Sequence, residues 1–211
     1  MRNVINSTYV SLDGVIENPQ DWSLDYFNDE ALAYATDQLL ASDALLMGRR
    51  TYEGQAAVWP SRSGDPFTDH INRMAKYVAS TSLETASWNN TQIIRTELAS
   101  EVARLKARPG KDILLYGFGP VSRLLLEHGL LDEIRLWLHP VFVGTAPEAL
   151  LFRQCAKAAL TLVATKTLRT GVVIMSYRPQ AAHQRTSGSP LNTVRTPSLQ
   201  SLLSAANSGS P

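Results

Sequence analysis

Strand-like and helix-like patterns alternate over the first 179 residues of the chain. Val4-Ile5-Asn6-Ser7-Thr8-Tyr9-Val10 is rich in β-branched positions and predicts a strand. Between Asp29 and Ala41, the apolar residues Leu32, Ala35, Leu39 and Leu40 fall near helical spacing and predict an amphipathic helix. Ala44-Leu45-Leu46-Met47 reads as a short buried strand ended by Gly48, with a helix from Arg50 onward. Strands are expected at Lys76–Ser80 and Thr91–Arg95, followed by a helix over Glu97–Lys106. Ile113-Leu114-Leu115-Tyr116 is an apolar strand, and Val121–His128 is a helix stopped by Gly129. A strand over Glu133–Val141 precedes two more, Leu160–Leu168 and Val172–Tyr177, joined by a hairpin signal at Arg169-Thr170-Gly171. Strands separated by helices imply right-handed crossovers and a mostly parallel sheet, and the closing hairpin implies an antiparallel edge. The expected class is α/β, with three layers around a mostly parallel central sheet and an antiparallel C-terminal edge.

That alternation ends near Pro179. From Gln180 to Pro211 there is no acidic or aromatic residue, and the only formal charges are Arg185 and Arg195. Such a segment buries too little apolar surface to offset its ordering entropy, so residues 180–211 are expected to be a disordered tail. It also explains why charged residues are only 18% of the 211. The whole chain carries 20 basic and 19 acidic residues, a net +1. That balance argues against nucleic-acid binding by bulk charge, which needs clustered Lys and Arg. A single cysteine, Cys155, excludes a disulfide framework and a multi-cysteine zinc site, and no metal is expected. The N-terminus lacks a signal-peptide apolar core and no run approaches the ~20 apolar residues of a membrane span. A cytoplasmic protein with no membrane partner is expected.

Open α/β sheets bind ligands where their strands end. The junction Leu46-Met47-Gly48-Arg49-Arg50-Thr51-Tyr52 offers a glycine, a helix start with free N–H groups, two cations and a hydroxyl. These features suit a phosphate, and the same pattern also describes a tight turn with a solvated helix end. A second junction, Tyr116-Gly117-Phe118-Gly119-Pro120-Val121, places proline at a helix start, where its missing N–H is harmless. It is not the six-residue dinucleotide fingerprint, because Ser122 stands where the third glycine belongs. Ser80-Thr81-Ser82 puts three hydroxyls at a strand end, where they either hold a phosphate or cap the next segment.

Taken together, these motifs resemble the dihydrofolate reductase-like proteins, specifically the reductase domain of the riboflavin-biosynthesis deaminase/reductase. The resemblance runs from Arg2 to Pro179. It rests on Ser11-Leu12-Asp13-Gly14, the Gly48 and Gly117 junctions, Leu131-Asp132-Glu133-Ile134, His139-Pro140-Val141, Gly144 and Leu151-Phe152, in that order. Two departures stand out: Phe118 separates the glycines of the second junction, and Thr145-Ala146-Pro147 follows Gly144 where a second glycine is usual. No Cys/His/Glu zinc constellation occurs, so the deaminase half is not expected.

The resemblance implies a stand-alone NADPH-dependent reductase acting on a pyrimidine- or pteridine-type small molecule. One such reaction is the reduction of 5-amino-6-(5-phosphoribosylamino)uracil. It implies that Leu12, Asp13 and Gly14 lie over the nicotinamide, with the backbone at Thr8 toward the carboxamide. Gly48, Arg49, Arg50 and Thr51 would hold the pyrophosphate, and Ser80 and Thr81 would meet the adenosine 2′-phosphate. Gly117, Phe118, Gly119, Pro120 and Val121 would complete the pyrophosphate and nicotinamide side. Trp22, Phe27 and Trp59 are candidate walls for a planar substrate, as aromatic rings stack on heterocycles. Asp29 is the first choice of proton donor, because it begins a helix and is expected to be partly buried; Asp25 and Glu30 are further candidates. An Asp in that place also serves as a cap or dipole partner. A homodimer is expected through residues 132–143 and the closing hairpin. A different class, a non-catalytic NADPH-binding module or regulator, is motivated by the lack of a catalytic-acid motif and by the tail.

Overall fold

The computed structural model describes residues 1–144, 150–151 and 157–180. The tail expected from residue 180 onward lies, apart from Gln180, outside the described residues, as do Thr145-Ala146-Pro147, Phe152 and Cys155.

Eight strands form one sheet. They are β1 (Val4–Ser11), β2 (Ser42–Gly48), β3 (Ala75–Ala79), β4 (Thr91–Ile94), β5 (Asp112–Tyr116), β6 (Glu133–His139), β7 (Leu160–Thr167) and β8 (Val173–Pro179). Their order across the sheet is β4-β3-β2-β5-β1-β6-β8-β7. The first six run parallel, and β8 and β7 close the far side antiparallel. β1 lies at the centre between β5 and β6, and all but one of its eight residues are buried. Burial on both faces is what a parallel sheet requires, and it explains why β1 reads as a β-branched run rather than an alternation.

The helices α1 (Asp29–Leu40), α2 (Arg49–Ala56), α3 (Pro66–Arg73), α4 (Leu98–Ala107) and α5 (Pro120–Glu127) divide between the two faces. Val102 and Leu105 of α4 and Leu125 of α5 pack with Val4, Leu46, Ile113 and Leu115 on one face. Leu39 of α1, Tyr52 of α2 and Ile71 of α3 pack with Ile5, Leu45, Met47 and Leu114 on the other. Ala31 and Ala35 of α1 extend that second layer over Trp137, Leu168 and Ile174. The three layers and the mostly parallel sheet with an antiparallel edge are therefore present as the alternation predicts.

One strand end and one helix differ notably from the sequence reading. β6 ends at His139 rather than Val141, because Pro140 has no N–H for the ladder. Helix α3 was not anticipated at all. Its start is nonetheless written in the chain: Asp65 accepts the Thr68 N–H at 2.9 Å, and Pro66 occupies the first helical position.

Beneath α3 lies Lys76, wholly buried on β3. Its ammonium donates to the Asn72 and Met74 carbonyls, both at 2.8 Å, and stands 4.5 Å from the Trp88 ring centroid. Burial lowers its pKa to about 8. The unfolded chain, with an ordinary lysine, therefore holds a proton that the folded chain releases between about pH 8 and 10.5. Raising the pH through this window favours the folded state. Urea unfolding at pH 7.5 and 9.5 should show wild type gaining stability relative to Lys76→Met as pH rises; a difference independent of pH contradicts the burial of a charged amine.

Candidate active site

All six parallel strands point the same way, so their carboxyl ends form one edge at Ser11, Gly48, Ala79, Ile94, Tyr116 and His139. The central element of this edge is a buried amide. Asn6, fully buried on β1, donates through Nδ2 to the Gly117 carbonyl at 2.7 Å and to Ser122 Oγ at 3.0 Å. Its Oδ1 accepts from the Thr8 hydroxyl at 2.7 Å. The Gly117 N–H donates to the Ser7 carbonyl at 3.0 Å. Together these bonds hold the turn after β5 and the first turn of α5 against β1. Thr8 is thus occupied on its side-chain side, and only its backbone is available to a ligand. Gly117 sits at φ 74, which favours glycine, whereas Gly119 is extended.

The N-termini of α2 and α5 are set at this edge. Neither has a side-chain cap or an acidic residue in its first turn. By contrast, α1 and α3 are capped by the Asn28 and Asp65 side chains. The first N–H groups of α2 and α5 are thus left with the positive dipole end and no competing carboxylate. The two starts are adjacent: a Cβ placed on Gly48 would lie 3.6 Å from Val121 Cγ2. Gly48 itself is extended, at φ −78 and ψ 165, so the sharp backbone turn expected there is not what calls for glycine. What its lack of a side chain provides is room for close approach. Phe118 is buried in the core on the α4–α5 side, so only its backbone faces the edge. Pro120 is exposed and Val121 half-buried.

Arg49 and Arg50 diverge. Arg49 bonds Glu53 Oε1 at 2.6 Å and Ser82 Oγ at 2.9 Å, joining the α2 start to the hydroxyl cluster after β3. Arg50, with 82% of its side chain exposed, reaches Glu17 at 3.0 Å in the segment that follows β1. Thr51 is half-buried in the first turn of α2. Within the hydroxyl cluster, Ser80 Oγ accepts from Leu83 N–H at 2.9 Å and so caps its own turn, while Thr81 and Ser82 are exposed.

The segment Leu12-Asp13-Gly14 is pinned to the end of β6. The Asp13 carboxylate accepts the Ser11 hydroxyl, the Gly144 N–H at 2.8 Å and the Val143 N–H at 3.2 Å. These bonds, the Ser11 hydroxyl first, lower its pKa to about 2. Leu12 N–H donates to the Val141 carbonyl at 2.9 Å, and Gly14 takes the Leu151 N–H at 2.8 Å. Asp13 is therefore a clasp between two loops, and its side chain is already committed.

On the α1 side of the same edge lies an aromatic cluster. His139, 2% exposed, is met by Trp22 edge-on at 5.2 Å, by Tyr26 at 5.7 Å and by Tyr9 at 5.0 Å. Its Nδ1 is 2.8 Å from the Trp137 carbonyl, and burial lowers its pKa. Burial pushes Tyr9 up to about 12. The three expected substrate walls have separate neighbours. Trp22 packs on His139, Trp59 on Phe67 at 5.1 Å, and Phe27 is exposed. Asp29 is exposed rather than partly buried, because Asn28 holds the capping position with its side chain on Ala31 N–H. Asp25 is exposed too, and Glu30 accepts the Arg169 N–H at 2.9 Å. Among the described residues no group of three or more His, Cys, Asp or Glu could hold a metal ion. Nor is any described helix long and apolar enough to cross a membrane.

Sequence reasoning missed Asn6 and gave no role of their own to Tyr116 and His139, which it met only within motifs. The available signal was polarity out of place: an Asn in the middle of a β-branched strand must find buried partners.

This sheet order, mostly parallel with an antiparallel closing edge, is that of the dihydrofolate reductase-like fold. More particularly, the chain belongs to the RibD C-terminal domain family, whose model matches residues 2–174. It is similar to an uncharacterized protein, YyaP, of Bacillus subtilis, at 32% identity over 184 residues, covering 83% of this chain and 94% of that one. Its fold is similar to a putative riboflavin biosynthesis protein of Shewanella sp. PV-4, with TM-score 0.65 and 18% identity over 84% of this chain and 99% of that one. A third likeness is to the diaminohydroxyphosphoribosylaminopyrimidine deaminase/5-amino-6-(5-phosphoribosylamino)uracil reductase of Thermotoga maritima. There the TM-score is 0.60 at 15% identity, over 85% of this chain and 57% of that protein.

If the Asn6 amide holds the site's framework, Asn6→Ala should cost about 2–3 kcal/mol, since it takes the Asn6 partner from the buried Thr8 and Ser122 hydroxyls. Urea unfolding measures this, and a loss below about 0.5 kcal/mol would remove the amide from that role.

Proposed function

We propose that the protein is an NADPH-dependent reductase of a pyrimidine- or pteridine-type small molecule, with 5-amino-6-(5-phosphoribosylamino)uracil as the leading candidate substrate. The observation that carries this reading is the pair of uncapped helix starts, α2 and α5, side by side at the strand ends, with Gly48 keeping their junction open. A dinucleotide pyrophosphate fits this arrangement because its two negative charges meet free N–H groups and two positive dipole ends. Membership of the RibD C-terminal domain family supports it, as do the reductase names of its fold relatives.

In this reading Gly48, Arg50, Thr51, Gly117, Phe118, Gly119, Pro120 and Val121 surround the pyrophosphate and the nicotinamide side, mostly through backbone groups, and Arg49 joins them through its backbone N–H alone. Arg49, Ser80, Thr81 and Ser82 serve the adenosine 2′-phosphate, where a guanidinium and hydroxyls offer charged and neutral donors together. Thr8, Leu12, Asp13 and Gly14 border the nicotinamide, with Asp13 fixing the loop rather than touching the ring. When bound, the cofactor supplies the hydride. The chain's own residues orient the two partners and exclude water. The substrate occupies the α1 side, bordered by Trp22, with Phe27 and Trp59 farther out. The exposure of Asp29 favours solvent, rather than this carboxylate, as the proton source. It equally motivates a second reading, an NADPH-binding module without turnover. The reaction belongs in the cytoplasm, with no nucleic-acid or membrane partner. A homodimer forms through the closing hairpin, whose edge strand β7 is exposed along all eight residues and carries Leu160, Leu162 and Val163 outward.

Calorimetric titration tests the cofactor assignment. Arg49→Ala should weaken NADPH by about 1.5 kcal/mol or more, the scale of charged hydrogen bonds, and leave NADH nearly unchanged. Equal losses for both cofactors would displace the 2′-phosphate from Arg49. Consumption of NADPH with 5-amino-6-(5-phosphoribosylamino)uracil and a pteridine panel separates the two readings: turnover establishes the reductase, and tight NADPH binding without turnover establishes the module. Light scattering should give twice the chain mass, and a monomer at working concentration rules out the dimer.

A further inference from the structure

Three buried side-chain atoms among the described residues have no hydrogen-bond partner: Gln55 Oε1, Tyr116 Oη and Thr170 Oγ1. Buried hydroxyls are nearly always paired, so each exception asks what completes it. Tyr116 is the best placed. It is the last residue of β5, followed at once by the positive-φ Gly117 that opens the turn toward α5. In the sheet register it stands beside Ser7, so its ring lies on the face of Ile5, Ser7 and Leu114 and packs on the α1-side core. Phe118 and Val121, by contrast, pack on the α4–α5 side. The hydroxyl is therefore on the opposite side of the sheet from Phe118 and Val121, and on the same side as α2 and the Tyr9–His139–Trp22 cluster.

Its surroundings are polar but committed. Gln38 approaches from α1, yet its Oε1 accepts from Arg135 at 3.2 Å and no hydrogen bond of normal geometry joins it to Tyr116. Burial, with the neighbouring Tyr9 phenol adding to it, raises the Tyr116 pKa. The hydroxyl is thus a neutral donor throughout the physiological range.

We propose that the Tyr116 hydroxyl is a specificity-determining substrate contact, donating a hydrogen bond to a carbonyl, imine or hydroxyl of the small molecule to be reduced. This rests on the reductase reading and deepens it. A site built around a donor of this kind discriminates strongly against analogues lacking the matching acceptor, because the donor is then left buried and unpaired.

The test is Tyr116→Phe, which removes one oxygen and keeps the ring. An idle hydroxyl predicts that the free variant melts at the same temperature as wild type or higher, and binds NADPH equally well. For 5-amino-6-(5-phosphoribosylamino)uracil as probe, KM should rise tenfold or more. A KM within twofold of a wild type that turns the probe over overturns the substrate contact alone. A melting temperature several degrees lower, with NADPH binding lost as well, also overturns it, since the hydroxyl then serves the fold. Wild-type protein that binds neither NADPH nor the probe overturns the reductase reading and this inference with it.

Discussion

The amide of Asn6 is the constraint on which the site depends. It sits in the middle of the most enclosed strand, where an unpaired polar group would be costly, and it finds its partners in the turn after β5 and in α5. Because those partners are more than a hundred residues away in sequence, β1 cannot be buried correctly unless β5 and α5 are in place. The same bonds fix the direction in which α5 begins, and with it the position of Val121 against Gly48. A requirement for polar satisfaction in the core thereby becomes a geometric requirement at the surface.

A second fastening acts at the other side of β1. Asp13 gathers the Ser11 hydroxyl and two N–H groups of the 141–144 segment, and its carboxylate is held well toward the charged form. One side of the edge is thus set by a buried neutral amide and the other by an ionised clasp. Between them lie Tyr9, Tyr116 and His139, whose burial disfavours their charged forms. The strand-end edge consequently offers different chemistry along its length: free N–H groups and cations at the starts of α2 and α5, neutral donors and aromatic edges by Tyr9, Tyr116 and His139.

Much of this was legible in the sequence where periodicity or turn chemistry carried it. The strand–helix alternation, the hairpin at Arg169-Thr170-Gly171 and the glycine junctions at Gly48 and Gly117 follow from spacing alone. The helix at Pro66–Arg73 was missed although Asp65-Pro66 is a start signal, because only Phe67 and Ile71 mark its apolar face. Asp29 was expected to be partly buried because its neighbour Asn28 was not recognised as the cap. Arg49 and Arg50 looked like one patch of positive charge, but consecutive helical residues diverge by about 100°, so they join different loops. The Asn6 network and the idle hydroxyl of Tyr116 were out of reach, since each depends on which distant residues the sheet order brings together.

A crystal structure of the protein with NADPH tests the central claim most directly. The account predicts pyrophosphate oxygens within hydrogen-bond reach of the first N–H groups of both α2 and α5, over Gly48, with the 2′-phosphate beside Arg49 and Ser82. A dinucleotide bound away from these two helix starts, or a protein that takes up none at saturating concentration, would contradict it.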